Sequence, residues 1–226
     1  MLRERTTPNL SEFLRYLASQ HEADDKLPSL SELSRELNIS QASLREQLEV
    51  ARVLGLVEVK PRTGIRRKPY TFAPAVLNSL DYAIALNKDH FIAFADLRQH
   101  IEIAYWHKAV KLLTPEDHQT LKNLVARAWE KLRGSPIEIP HPEHRELHLT
   151  IFQRLGNPFV TGLLQSYWDA YETVGLNFFT EYNYLTEVWN YHQKMVDAIC
   201  ENDIEAGFKA LFEHTDLIHQ LISSSQ

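Results

Sequence analysis

Hydrophobic positions recur at helical spacing along nearly the whole chain, and the few interruptions mark its divisions. Leu10, Phe13, Leu14 and Leu17 form one apolar stripe; Pro8-Asn9 with Glu12 predicts its capped start, and it ends near Gln20. After a polar break from His21 to Lys26, Ser29 is placed to cap a second short helix with Leu30, Leu33 and Leu37 inward, broken at Asn38. Ser40 is placed to cap a third. There Leu44, Leu48 and Ala51 face a core, leaving Gln41, Ser43, Arg45 and Gln47 to solvent or a ligand. Gly55 stops that helix, Leu56-Val57-Glu58-Val59 alternates as a strand, residues 61–64 form a turn, and Ile65 begins a returning strand.

The pattern lapses from Thr71 to Ala75, where Pro69 and Pro74 mark a linker, and everything afterwards reads as helix. Leu77, Leu80 and Ile84 make one segment, and Phe91 to Leu113 makes a longer one. Thr114-Pro115-Glu116-Asp117 combines a cap, a proline at the first turn and acids at the positive end of the helix dipole, so a helix starts there and runs to about Leu132. Beyond a loop from Gly134 to Pro140, Pro142 opens a helix that Gly156-Asn157-Pro158 ends. Phe159 to about Asn177, Tyr184 to Cys200, and Ile204 to Ile222 follow, with Asp203 capping the last. The expected fold is mainly α: an N-terminal winged helix-turn-helix domain, made of two short helices and a hairpin, followed by an all-α antiparallel helical bundle.

Charge changes how the first part reads. The net charge of -6 is uneven: residues 1–70 hold 12 Lys or Arg against 10 Asp or Glu, the remainder 12 against 20. The excess gathers at Lys60, Arg62, Arg66, Arg67 and Lys68, at the predicted hairpin tip, where it is either a solvated turn or a surface for a polyanion. A helix presented by its N-terminal end fits a major groove while wing cations lie along phosphates, so double-stranded DNA is the expected partner. No apolar run approaches the roughly 20 residues of a membrane span, which predicts a cytoplasmic protein with no membrane partner. Cys200 alone forms no intramolecular disulfide and reads as a small buried hydrophobe.

Histidine supplies the candidate chemistry. His144 and His148 are four apart on one predicted helix and so share a face, while His192 and His214 each sit within a later apolar helix. A bundle can bring the four together as ligands, although with 11 histidines in the chain some are incidental. Neutral imidazole suits zinc or nickel first, then iron, cobalt or manganese. Tyr105, Trp106, Trp168, Tyr171, Phe178 and Trp189 either line a cavity or fill the core; Glu143 and Glu146 read as solvated.

Leu27-Pro28-Ser29 through Leu33, Ile39-Ser40 to Leu44-Arg45-Glu46, and Gly55-Leu56-Val57 resemble the DNA-binding domain of GntR-family transcription regulators, over residues 9–69. Arg98-x-x-x-Glu102, His144-x-x-Leu147-His148 with Gly156-Asn157, and His192 with Ala198-Ile199, Asp203 and His214 resemble the FCD ligand-binding domain of FadR-type members, over residues 89–222. The resemblance implies DNA contact by Arg45 and the wing around Gly64. Ser31 and Gln41 stand where the family commonly has arginine, and Ser43 where it often has proline, so readout shifts towards adenine at Gln41. With Ser29, Arg62 and Arg66 these make the DNA-binding set. It also implies a divalent ion held by one aspartate and three histidines, which map onto His148, His192 and His214, with a small carboxylate completing the shell. His144 departs from the pattern by standing where the aspartate is usual, leaving the site one charge more positive or, if it swings away, weakened. Arg98 maps to an effector-carboxylate contact; its plain alternative is a helix-surface pair with Glu102.

These expectations divide the chain into a DNA-binding domain (1–70), a linker and linker helix (71–88) and an FCD-like metal and effector domain (89–226). They describe a homodimeric regulator responsive to a small anionic metabolite and not an enzyme. A direct metal sensor uses the same four residues; a metal-dependent enzyme on the bundle is the remaining alternative, with neither a His-Glu-x-x-His motif nor a candidate nucleophile in its favour.

Overall fold

In a computed structural model of the chain, residues 9–20, 25–60, 64–174 and 181–223 are described, apart from the side chains of 215, 216 and 218–223. The chain is mainly α and divides into two compact units, Met1–Asn78 and Ser79–Gln226.

In the first unit, α1 (Glu12–Ser19) begins at Ser11, whose hydroxyl accepts the Leu14 N–H, and not at the expected Pro8-Asn9; Pro8 lies outside the described residues. Capping of α2 (Leu30–Glu36) is reciprocal: Ser29 Oγ accepts the Glu32 N–H, and Glu32 Oε2 accepts the Ser29 N–H at 2.8 Å. Asn38, at φ 53°, turns the chain towards Ser40, the cap of α3 (Gln41–Val53). Gly55 ends α3 at φ 72°, and a Cβ there would lie 2.6 Å from Pro74 Cγ, so both conformation and space demand glycine. The antiparallel strands β1 (Val57–Lys60) and β2 (Gly64–Arg67) pair Val59 with Ile65 and Lys60 with Gly64. The end of the supposed polar break joins them: Lys26 bridges Arg66, and the Leu27 N–H donates to the Ile65 carbonyl at 3.0 Å. Phe13, Leu33, Leu44 and Ala51, all without exposed surface, centre the core of this winged helix.

Helix α4 (Ala73–Leu86) takes Pro74 into its first turn, where a missing N–H is harmless, and does not leave it in a linker. The division between the units falls within this helix. Then come α5 (Asp89–Val110), α6 (Pro115–Arg133) and α7 (His141–Phe152), the last closed by a 3-10 turn and by Gly156 at φ 61°. Asn157 caps α8 (Pro158–Thr173), its Oδ1 accepting the Phe159 and Val160 N–H groups. That helix ends at Thr173, short of the expected Asn177. Asn202, at φ 59°, links α9 (Tyr182–Glu201) to α10 (Ile204–Ser223), and Asp203 Oδ1 accepts the Ala206 N–H at 3.0 Å as expected of a cap. Helix α5 packs on α7, α8 and α10, and α9 on α6 and α10, around Trp106, Leu147, Ile151, Trp189 and Leu211. No strand follows β2 among the described residues.

Candidate metal and effector site

Three helices of the bundle meet with histidines at the junction. Helical periodicity puts His144 and His148 one turn apart on α7; α9 contributes His192 and α10 His214. One ring nitrogen from each lies within 4.8 Å of those of the others. His148 Nε2 is 3.1 Å from His192 Nε2, and the His192 ring centre is 4.5 Å from that of His144 and 4.4 Å from that of His214. His148, His192 and His214 have no exposed surface, while His144 is partly buried.

Burial, then the surrounding imidazoles and Arg98, hold His144 and His192 well below the ordinary histidine pKa. His214 is held well below it by burial, His148 and Arg98, against Glu102. His148 is lowered by burial, with Glu102 opposing and Arg98 adding to the shift. The rings are therefore neutral near neutral pH and present lone pairs. Nε2 of His144, Nδ1 of His192 and both nitrogens of His214 are buried without a hydrogen-bond partner among the described residues. Each such group costs about 1 to 3 kcal/mol if left unsatisfied. A convergent all-nitrogen set with unsatisfied lone pairs fits a borderline-soft divalent ion.

Arg98 and Glu102, one turn apart on α5, form the adjoining wall. They do pair, but in the core and not on the helix surface: Arg98 is 3% exposed and Glu102 fully buried. Arg98 Nε donates to Glu102 Oε1 at 3.0 Å, and Nη2 lies 3.0 Å from Oε2. The guanidinium carbon is 4.5 Å from the Tyr167 ring centre and 5.2 Å from that of Trp168, within cation–π range. Burial pushes the Glu102 carboxyl up, but Arg98 and His148 outweigh it and hold it at about 2.

The aromatic residues divide by position. Trp168 packs edge-on to His144 at 4.6 Å, and Trp189 sits 4.8 Å from His192, so both border the site as well as the core. Trp106 lies elsewhere in the core, its indole N–H donating to the Ile204 carbonyl at 3.0 Å, and Tyr105 packs against the same core. Tyr171 stacks on His141 with ring centres 5.2 Å apart, and Phe178 lies outside the described residues. Glu143 contradicts its solvated reading: it is 5% exposed and accepts from Lys131 Nζ at 2.9 Å, whereas Glu146 is exposed. Cys200 is only half-buried. Tyr167 and the depth of Glu102 were missed, since a tyrosine in an apolar run and an i, i+4 ion pair look the same in sequence whether inside or outside.

In the winged helix, Ser31, Gln41, Arg45, Gly64 and Arg66 are exposed, and Gln41 and Arg45 share a face of α3. Ser29 is exposed too, its side chain spent on the α2 cap. Ser43 is half-buried and its Oγ accepts from Gln47. Gln47 is not left to a ligand: its Oε1 accepts the Phe13 N–H at 2.9 Å and its Nε2 donates to Glu12. Arg62 lies outside the described residues.

A winged helix joined to a helical bundle with a buried histidine cluster defines a class, the DNA-binding regulator with a separate ligand-binding unit. The comparisons carry this to a family. Residues 93–217 match the FCD domain, and the chain belongs to the FCD family, as a transcription regulator of the GntR type. It is 25% identical to the HTH-type transcriptional regulator YcbG of Bacillus subtilis, over 91% of this chain and 84% of that one. It is 26% identical to YieP of Escherichia coli, over 87% and 85%, and 24% identical to the putative L-lactate dehydrogenase operon regulatory protein of E. coli, over 88% and 78%. The fold resembles that of Streptococcus agalactiae GntR, at a TM-score of 0.63 and 18% identity over 92% of this chain and 95% of that one. These relatives are regulators and not enzymes. Among the described residues no helix is long and apolar enough to cross a membrane.

Proposed function

We propose that the protein is a metabolite-responsive regulator in which His144, His148, His192 and His214 hold a divalent ion, zinc or nickel before iron, cobalt or manganese, and a small carboxylate binds beside it near Arg98. The observation that carries the reading is the convergence of four neutral imidazoles with unpartnered nitrogens in the bundle. When bound, the ion supplies a positive centre for an anion's oxygen. Around it, Arg98 offers a second cation, and Tyr167, Trp168 and Trp189 exclude water. His144, in place of an aspartate, leaves the site one charge more positive and favours anions further. The relative named for an L-lactate dehydrogenase operon puts 2-hydroxy acids first among candidates.

Residues 1–70 serve as the DNA-binding domain, 71–88 as the connection and 89–226 as the sensory domain. Ser29, Ser31, Gln41, Ser43, Arg45, Arg62, Gly64 and Arg66 form the DNA-facing set, with Gln41 and Arg45 reading base edges and the wing meeting phosphates. A homodimer on a near-palindromic operator matches this class of domain. The effector acts by binding one arrangement of the DNA-binding domains better than another.

A second reading, a direct metal sensor, is favoured by one observation: Arg98 already pairs with Glu102 and packs on two aromatic faces, so an anion has to compete with them for its guanidinium. Fluorescence anisotropy with the DNA upstream of the chain's own gene separates the readings, using metal-loaded and metal-stripped protein with and without small carboxylates. An affinity change that needs both metal and a carboxylate supports the first reading, and a change with metal alone supports the second. No sequence-preferring complex at low salt would sink both.

A further inference from the structure

We infer that Glu102 is a positioning residue for the histidine site: its buried carboxylate fixes the His148 imidazole with Nδ1 protonated and so turns the Nε2 lone pair towards the other three histidines. The inference rests on the four-histidine reading above and assigns a role that the ligand set does not include.

Glu102 has no exposed surface, and its Oε1 lies 3.1 Å from His148 Nδ1 while also accepting from Arg98 Nε at 3.0 Å. On the far side of the same ring, Nε2 faces His192 Nε2 at 3.1 Å. A neutral imidazole carries one N–H. Placed on Nδ1 it meets an ionised carboxylate, and placed on Nε2 it leaves the Nδ1 lone pair against that negative charge. The first arrangement wins on electrostatics, and it presents Nε2 to the cluster. Arg98 Nη2 is the competing partner, 3.0 Å from Nδ1. It is also 3.3 Å from Nε2. A group nearly equidistant from both ring nitrogens lies over the ring and not in line with either lone pair, so it does not claim Nδ1. Arg98 instead keeps the Glu102 carboxylate charged in the core. Carboxylate–histidine pairs of this kind orient a ligand ring and raise its basicity.

The arrangement also bears on His144. Where the chain lacks a carboxylate among the four convergent side chains, Glu102 supplies one negative charge immediately behind them.

The test is Zn2+ affinity of the full-length protein, by competition with a chromogenic chelator, together with 15N imidazole shifts of the histidine-labelled protein. Wild type, H148A, E102Q and the double variant R98M/E102L are compared. The double variant guards against misfolding, since removing both members of a buried ion pair for apolar groups is commonly tolerated. The expectation is loss of high-affinity binding in H148A and a roughly 10- to 100-fold weakening in E102Q and R98M/E102L. In wild type the His148 shifts show Nδ1 protonated and Nε2 bound, and this pattern is lost without Glu102. A merely structural ion pair predicts instead that E102Q leaves the His148 shifts in the wild-type pattern. If wild type binds Zn2+, H148A does not, and both Glu102 variants bind within about threefold of wild type, the positioning role is wrong and the four-histidine site stands. If wild type binds no Zn2+, both fall together.

Discussion

His148, His192 and His214 are wholly buried, and burial with Arg98, helped at His192 and His214 by neighbouring imidazoles, keeps them neutral, so their lone pairs face one another without protons enough to satisfy them all. Bordering aromatic rings make this measurable: Trp168 is 4.6 Å from the His144 ring and Trp189 is 4.8 Å from His192. Tryptophan fluorescence should be quenched by Ni2+ or Co2+, whose open d shells accept the excitation, and hardly at all by Zn2+; H148A should lose the quenching. Equal quenching in H148A would place the ion elsewhere. A second prediction concerns Asp117, which accepts from Arg154 and Gln153 and closes the α6 capping box. Its hydrogen bonds with Arg154 outweigh burial, and with Thr114 they hold its pKa at about 2, below the usual 3.8. A lowered carboxyl pKa stabilises the fold above the unfolded value and loses that contribution as pH falls towards the folded one. The urea midpoint of wild type should therefore exceed that of D117N by a constant margin from about pH 7 to 5 and converge on it below about pH 4. A margin independent of pH would contradict the assignment.

Helix ends were the most legible elements, because capping is written locally. Ser29, Ser40, Thr114 and Asp203 all sit at starts, and Asn38, Gly55 and Gly156 at stops; Asn157, read only as part of an end, also caps α8. The misreadings of exposure share one cause: contacts distant in sequence. Gln47 was assigned to solvent by helical phase, yet it caps α1 from 34 residues away; Glu143 looked exposed until Lys131 of the preceding helix was brought to it. Glu102 followed the same rule. The histidine cluster could be anticipated because an i, i+4 pair is local, but which helices α9 and α10 would meet was not. Substituting Ser29 by Ala should cost about 1 kcal/mol of winged-helix stability, read as a lower urea midpoint of that unit. Gly55→Ala should cost more, since it adds strain at positive φ to the clash with Pro74. If Gly55→Ala proved neutral, the turn as drawn would be wrong.

Each of the two units has its own buried core, and all four tryptophans belong to the second, so fluorescence reports unfolding of the bundle alone. A ligand that binds only the folded bundle stabilises it by about 2.7 kcal/mol at 100 times its Kd, which should raise the fluorescence-detected Tm without a matching change in the winged helix. Arg45→Ala should act in the opposite unit, weakening operator binding by about 1 to 3 kcal/mol while leaving that Tm unchanged. Underneath both outcomes stands the claim that the four histidines hold one ion. Metal content of purified wild type, H148A and H214A, each loaded with Zn2+ and dialysed against metal-free buffer, tests it most directly by mass spectrometry of the elements. The account predicts about one ion per wild-type chain and almost none in either variant. Negligible metal in all three, or equal metal in all three, would contradict it.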